Sequence, residues 1–189
     1  MLKTAVIFAG GKSSRMKRDK SLLPFNRFNS LSEFQFKRLS KYFDKVYISC
    51  KSDKFDFSSR LIFDKYSVSS PLVGVVSIFE TLDDVDEIFV LSVDTPFVDI
   101  DIIQELYKNN RDEYDIILSS TDGRNQPLCA IYKRVVLKEA KKLLSQDIHK
   151  LNILISNLNS KVVEFNEIEK FMNLNYYDDY IEACNILDG

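Results

Sequence analysis

Apolar residues follow two alternating rhythms along this chain. Short unbroken runs predict buried strands: KTAVIF (Lys3–Phe8), KVYIS (Lys45–Ser49), RLIF (Arg60–Phe63) and EIFVLSV (Glu87–Val93). DIILSS (Asp115–Ser120), LCAIY (Leu128–Tyr132) and KVVEF (Lys161–Phe165) read the same way. Between them lie stretches with helical spacing. Leu31–Phe43 places Phe36, Leu39 and Phe43 on one face, and PLVGVVSIFETL (Pro71–Leu82) opens with a proline suited to a first helical turn. Asp99 is placed to cap a helix running through Leu106, because its carboxylate can accept unpaired backbone N–H groups. Val136, Leu137, Ala140, Leu143 and Leu144 mark another stripe, and Ile148–Leu158 a further helix. A last helix carries Tyr177, Tyr180, Ile181, Cys184 and Leu187 on one face.

Strand–helix alternation with uniformly apolar strands predicts an α/β protein with a single doubly wound, mostly parallel sheet and helices on both faces. No linker, low-complexity run or internal repeat divides the 189 residues, so one domain is expected over residues 1–189. Composition narrows the function classes. A net charge of −2 offers no general attraction to nucleic acid or to an anionic membrane, so any basic site must be local. Cys50, Cys129 and Cys184 are odd in number, far apart and free of C-x-x-C spacing, which speaks for reduced thiols and against zinc or a disulfide framework. The apolar start, about six residues before glycine, is too short for a signal-peptide core or a membrane span. A cytoplasmic protein is expected.

Two strand ends carry candidate chemistry, since ligands of such sheets sit outside the carboxyl ends of the strands. After the first strand comes AGGKSSRMKRDK, which spends two of the five glycines side by side before a basic cluster. Gly11–Ser13 imitates the end of a P-loop, but that pattern needs a glycine where Val6 stands, inside the strand. The G-x-G-x-x-G fingerprint also fails. A wider loop fits, whose bare N–H groups at Gly10 and Gly11 approach phosphate oxygens while Arg15 and Lys20 add charge-assisted contacts. Lys12 and Arg18 read as solvated. An ordinary turn with a solvated basic surface explains this spacing equally well. After the strand Glu87–Val93 comes DTPF, where Asp94 suits Mg²⁺, a hard cation that bridges protein to phosphate. Taken alone, it fits a turn aspartate bonded to nearby amides better; a phosphate loop at an adjacent strand end makes the metal reading competitive. His149, the only histidine, falls in a predicted helix far from both motifs and reads as a surface or packing residue.

FAGGKSSRMKRDKSLLPF resembles the nucleotidyltransferase signature L-A-G-G-x-S-x-R-M-G-x-D-K. PLVGVVSIFETL, SVDTPFV, GRNQPLCAIY and NLN follow in the order of the molybdenum cofactor guanylyltransferases, from Ala5 to about Asn175. The resemblance implies a reaction in which GTP and molybdenum-molybdopterin give the guanine dinucleotide cofactor and pyrophosphate. It implies that Phe8, Ala9, Gly10, Gly11 and Asp64 line the nucleotide. Lys20 would contact the triphosphate and Asp94 would hold Mg²⁺, both beside GTP. Gly123, Arg124, Gln126, Pro127, Asn173 and Asn175 would stand on the pterin side. Catalysis would rest on Arg15, Lys20, Asp94 and backbone donors, because the attacking phosphate is already anionic and needs no side-chain base. Phe8–Gly11, Asp64 and Asp94 are then expected around one cleft. Transient contact with cofactor-biosynthesis proteins or apo-molybdoenzymes is also implied. The chain departs from the pattern at Lys17, where glycine is usual, and at Tyr176–Tyr177, where Thr-Pro is frequent. Ser49 stands where asparagine is common. A molybdopterin cytidylyltransferase, another small-molecule nucleotidyltransferase, and a non-catalytic pterin- or nucleotide-binding chaperone stay open at this point.

Overall fold

A computed structural model describes residues 1–10, 16 and 18–188. Seven strands form one sheet: β1 (Leu2–Phe8), β2 (Phe43–Cys50), β3 (Leu61–Phe63), β4 (Glu87–Ser92), β5 (Ile116–Thr121), β6 (Arg124–Lys133) and β7 (Ser160–Phe165). Their order across the sheet is β3-β2-β1-β4-β6-β5-β7, and β6 alone runs against the others. The helices are α1 (Leu31–Leu39), α2 (Pro71–Thr81), α3 (Ile100–Lys108), α4 (Val136–Ser145), α5 (Leu151–Asn157) and α6 (Tyr177–Asp188).

Alternation along β1 shows how the layers form. Ala5 and Ile7 point to a core shared with α1, α3 and α6, whereas Val6 and Phe8 point to one shared with α2, α4 and α5. All four residues are buried, which is why the strand reads as an unbroken apolar run. Each fully buried aliphatic side chain contributes about 1.5–3 kcal/mol, so the central strands form a stiff floor under the loops that leave their ends.

The sequence-based boundaries shift in four informative places. The helix expected over Leu31–Phe43 stops at Leu39, and Phe43 instead opens β2, where it stacks on Phe89 at 5.6 Å. Its spacing from Leu39 imitates a helical face by coincidence. The strand expected at Leu128–Tyr132 starts at Arg124, because Asp122 (φ 50°) and Gly123 (φ 67°) make a two-residue hairpin turn with β5. Asp-Gly supplies both left-handed positions at low cost. The helix expected from Ile148 begins at Leu151, which leaves His149 in a loop. Finally, α6 packs through Tyr180, Ala183, Cys184 and Leu187, while Tyr177 and Ile181 are exposed.

Candidate active site

Strand order β3-β2-β1-β4 sets β1 beside β4; the chain after β1 turns back toward β2 while the chain after β4 runs on toward the β6–β5 side, so the two loops diverge and border a crevice. The backbone is pinned at this point. Ala9 N–H donates to the Ser49 carbonyl (3.0 Å) and Val93 N–H to the Phe8 carbonyl (3.0 Å), continuing the sheet past the strand ends.

Two adjoining cavities occupy the crevice. The smaller, about 260 Å³, is lined by Phe8, Gly10, Ser49, Asp64, Ser70 and Gly74, among others. The larger, about 500 Å³, is lined by Asp94, Gln126, Pro127, Cys129, His149 and Asn173, among others. Pro71, Ser92 and Leu128 belong to both walls, so the two cavities are halves of one divided cleft. Phe8, Gly10 and Asp64 stand in the smaller lobe of this cleft and Asp94 in the larger, across the partition formed by the shared residues.

In the smaller lobe, Asp64 follows β3 directly. Burial pushes its carboxyl above the usual aspartate value, with Lys51 opposing the shift. Phe8 lies against Gly74 of α2, where an added Cβ would stand only 2.5 Å from Phe8 Cε1. Gly74 is therefore a close-approach glycine that lets the Phe8 ring come up against the helix. Ser70 caps α2, its Oγ accepting from Val73 N–H (3.2 Å).

At the partition, Asp94 accepts hydrogen bonds from Lys20 Nζ and Ser92 Oγ. Lys20 sits on a 3₁₀ turn (Lys20–Leu22) and also donates to the Leu174 carbonyl at 3.3 Å. Leu174 N–H in turn donates to the Asp94 carbonyl (2.9 Å), which fastens Asn173 at the mouth of the larger lobe. Behind the loop, the fully buried Gln35 aims its amide at the carbonyls of Thr95 (3.1 Å) and Val93 (3.4 Å). Arg38 holds Gln35 Oε1 at 2.5 Å and also donates to the Val98 carbonyl. Burial brings the Arg38 guanidinium down to about 10.

The larger lobe owes its wall to an irregularity in β6. Leu118 pairs with Ala130 but Ser119 pairs with Gln126, so Pro127, Leu128 and Cys129 bulge out of the ladder with β5. Proline cannot donate to a ladder, and a bulge re-aims neighbouring side chains. Tyr132 Oη anchors the Pro127 carbonyl at 2.9 Å. His149 stands beside the N-terminus of α2, with Nδ1 3.3 Å from Ser70 Oγ and Nε2 2.9 Å from Asp147. Ser70 Oγ already accepts from Val73, so its hydrogen is available to Nδ1 and Nε2–H then faces the carboxylate.

The residues singled out from sequence therefore separate. Phe8, Gly10 and Asp64 share one lobe; Asp94, Gln126, Pro127 and Asn173 share the other, and Lys20 reaches their boundary. Ala9 lies at the end of β1 and is buried. Gly123 and Arg124 instead form the exposed tip of the β5–β6 hairpin, outside the cavity walls, because the turn carries them past the bulge. Asn175 is exposed, with its N–H bonded to Asp179 at the start of α6. Gly11, Lys12, Arg15 and Lys17 lie outside the described residues. Arg18 is exposed, in keeping with its reading as solvated. Sequence reasoning missed Gln35 and Lys54, and it misplaced His149, which lines the larger lobe rather than a distant helix. For Ser70 a signal existed, a serine just before a helix-opening proline. For His149 there was none.

Among the described residues no three acidic, histidine or cysteine groups cluster as a metal cage. A cation here would depend on Asp94 and on oxygens brought by substrate, a donor set that suits Mg²⁺. No helix among the described residues is long and apolar enough to cross a membrane.

Comparison with known proteins agrees with this geometry. Residues 5–162 match the family model described as the MobA-like NTP transferase domain. The chain is 37% identical over 177 residues to a molybdenum cofactor guanylyltransferase of Campylobacter jejuni, covering 93% of this chain and 92% of the relative. A Helicobacter pylori protein of the same name is 33% identical over 190 residues, covering 96% and 92%. Among solved structures, molybdopterin-guanine dinucleotide biosynthesis protein A of Archaeoglobus fulgidus superposes with a TM-score of 0.83 at 21% identity, covering 98% of both chains. On this evidence the chain belongs to the molybdenum cofactor guanylyltransferases of the MobA-like NTP transferase family.

Proposed function

We propose that the smaller lobe holds GTP, the larger lobe holds molybdenum-molybdopterin, and GMP passes between them at the Lys20–Asp94 boundary. Guanylyl transfer is the family's reaction, and the protein acts as a nucleotidyltransferase. The observation that supports this assignment of substrates is the shared wall of Pro71, Ser92 and Leu128, which brings two separate cavities together beside Asp94. A reaction that joins two phosphorylated molecules needs such a meeting point.

The terminal phosphate of molybdopterin attacks the α-phosphorus of GTP; a P–O bond forms there as the bond to pyrophosphate breaks. The nucleophile is already anionic, so no side chain need remove a proton. What the protein supplies is alignment and positive charge where negative charge accumulates. Lys20 provides a cation at the boundary, and Gly10 leaves open space in the smaller lobe, with nothing within 4 Å of where a Cβ would stand. Asp94 would hold Mg²⁺ together with phosphate oxygens, and the ion when bound would neutralise charge on the triphosphate. Gln35 and Arg38 keep the Asp94 loop in place from behind. Asp64 is the carboxylate of the smaller lobe, able to accept from guanine N1–H and N2–H, which cytosine lacks. We assign the reaction to the cytoplasm.

The test mixes the protein with Mg²⁺, molybdenum-molybdopterin and either GTP or CTP, and measures pyrophosphate and dinucleotide product. GTP should give both in equal amounts. Faster turnover of CTP would overturn the guanine assignment, and binding without pyrophosphate release would make the protein a carrier.

A further inference from the structure

Lys54 lies outside every motif that the resemblance singles out, yet it touches both flanks of the glycine loop. Its ammonium donates to the Ala9 carbonyl at 3.3 Å and to Asp19 Oδ2 at 2.5 Å. Ala9 is thereby held at its carbonyl by Lys54 and at its N–H by Ser49. On the other flank, Asp19 Oδ1 accepts from Ser21 N–H (3.1 Å) and Ser21 Oγ (2.6 Å), capping the short turn that carries Lys20. One cation thus joins the end of β1 to the start of the turn that presents Lys20 to Asp94.

Two features separate this arrangement from an ordinary surface ion pair, which contributes little. The Lys54 side chain is only 22% exposed, and its ammonium lies 5.5 Å from the centre of the Phe55 ring. The pair also spans 35 positions of sequence and has a backbone carbonyl as third member, so it constrains chain geometry and not only charge. Burial pushes the Asp19 carboxyl up, but hydrogen bonds from Lys54 and Ser21 outweigh burial and hold it below the usual aspartate value.

We propose that Lys54 is a positioning residue for nucleotide binding: by tying Ala9 to Asp19 it fixes the two flanks of the glycine loop and aims Lys20 at the boundary of the cleft. It acts through Asp19 and contacts no reacting atom. The inference rests on the guanylyl-transfer reading for its kinetic arm and on the structure alone for its second arm.

The experiment compares Lys54→Met, Asp19→Asn, the double variant and Lys54→Arg with the natural protein. Each single variant should raise KM for GTP about five- to tenfold and leave KM for molybdenum-molybdopterin unchanged. The double variant should be no worse than the worse single one, because partners acting as a unit are not additive. Lys54→Arg should recover most of the loss. Effects that multiply in the double variant, or equal shifts in both KM values, would overturn the proposal. The second arm follows amide hydrogen exchange at Ser21 and Leu22, which needs no turnover. Exchange should quicken in both single variants and no further in the double. Unchanged exchange would overturn the inference even if the natural protein transfers no GMP, whereas failure of transfer alone would count against the reaction.

Discussion

The two lobes of the cleft are built by different means. The smaller one is walled by strand ends and a helix start: Phe8 and Gly10 after β1, Ser49 within β2, Asp64 after β3, Ser70 and Gly74 at α2. The three strands are parallel neighbours, so backbone pairing sets the spacing of their ends. The larger lobe draws Gln126–Cys129 from a bulge in the reversed strand, His149 from a loop and Asn173 from the chain returning after β7. Its shape depends on side chains and on long-range docking, such as Leu174 on Asp94. Backbone pairing thus shapes the lobe proposed for the nucleotide, and side chains with long-range docking shape the lobe proposed for the acceptor.

Asp94 joins the lobes, so breaking it should have the largest effect. Asp94→Asn keeps the bond from Ser92 but removes the charge that faces Lys20 and would hold the cation. Transfer at saturating GTP and Mg²⁺ should fall about a hundredfold or more, a few kcal/mol of transition-state stabilisation. The melting curve should barely move, because apolar burial holds β4. Near-normal turnover would return Asp94 to a turn-forming role.

A matched pair of variants sharpens the comparison itself. Gly74→Ala sets a methyl 2.5 Å from Phe8 Cε1, so the ring must shift within the smaller lobe. KM for GTP should rise about tenfold, with an overpacking cost of about 1–3 kcal/mol in stability. His149→Ala should instead raise KM for molybdenum-molybdopterin about fivefold, the loss of roughly one hydrogen bond, and spare GTP. Crossed effects in steady-state kinetics would show that the lobes do not divide the substrates.

The smallest effect concerns stability. Burial raises the Asp64 carboxyl above the ordinary value of 3.8, so the folded protein holds that proton more tightly than the unfolded chain. Its ionisation therefore costs nothing at low pH, and the cost grows as pH rises through 3.8 and is complete above the raised folded value. Asp64→Asn should melt about one degree higher at neutral pH and show no gain near pH 3. Solvent screening of this partly exposed group keeps the gain small. A gain that persists in acid would point to packing instead of charge.

The smaller lobe was far more legible in the sequence than the larger. Gly10, Asp64 and Asp94 each follow an apolar run, so parallel pairing predicts that their strand ends gather on one edge. The partition between Asp64 and Asp94 was not readable, because Pro71, Ser92 and Leu128 meet only through tertiary packing. The β5–β6 hairpin had a signal in Asp122-Gly123, which the motif reading of GRNQPL obscured. His149 and Lys54 carry no local mark at all. What brings them to the site is the end of α4 in one case and the loop after β2 in the other. The buried Gln35 sits among Phe34, Phe36 and Leu39, where a polar residue on an apolar helix stretch was the available hint.

In the proposed arrangement each lobe of the divided cleft takes one substrate. An experimental structure with GTP and Mg²⁺ tests it most directly. Guanine and ribose should lie against Phe8, Gly10 and Asp64 in the smaller lobe, with the triphosphate running toward Lys20 and Asp94. The space between Gln126 and His149 should be left for the acceptor. A nucleotide seated against Gln126, Pro127 and His149, with the smaller lobe vacant, would contradict it.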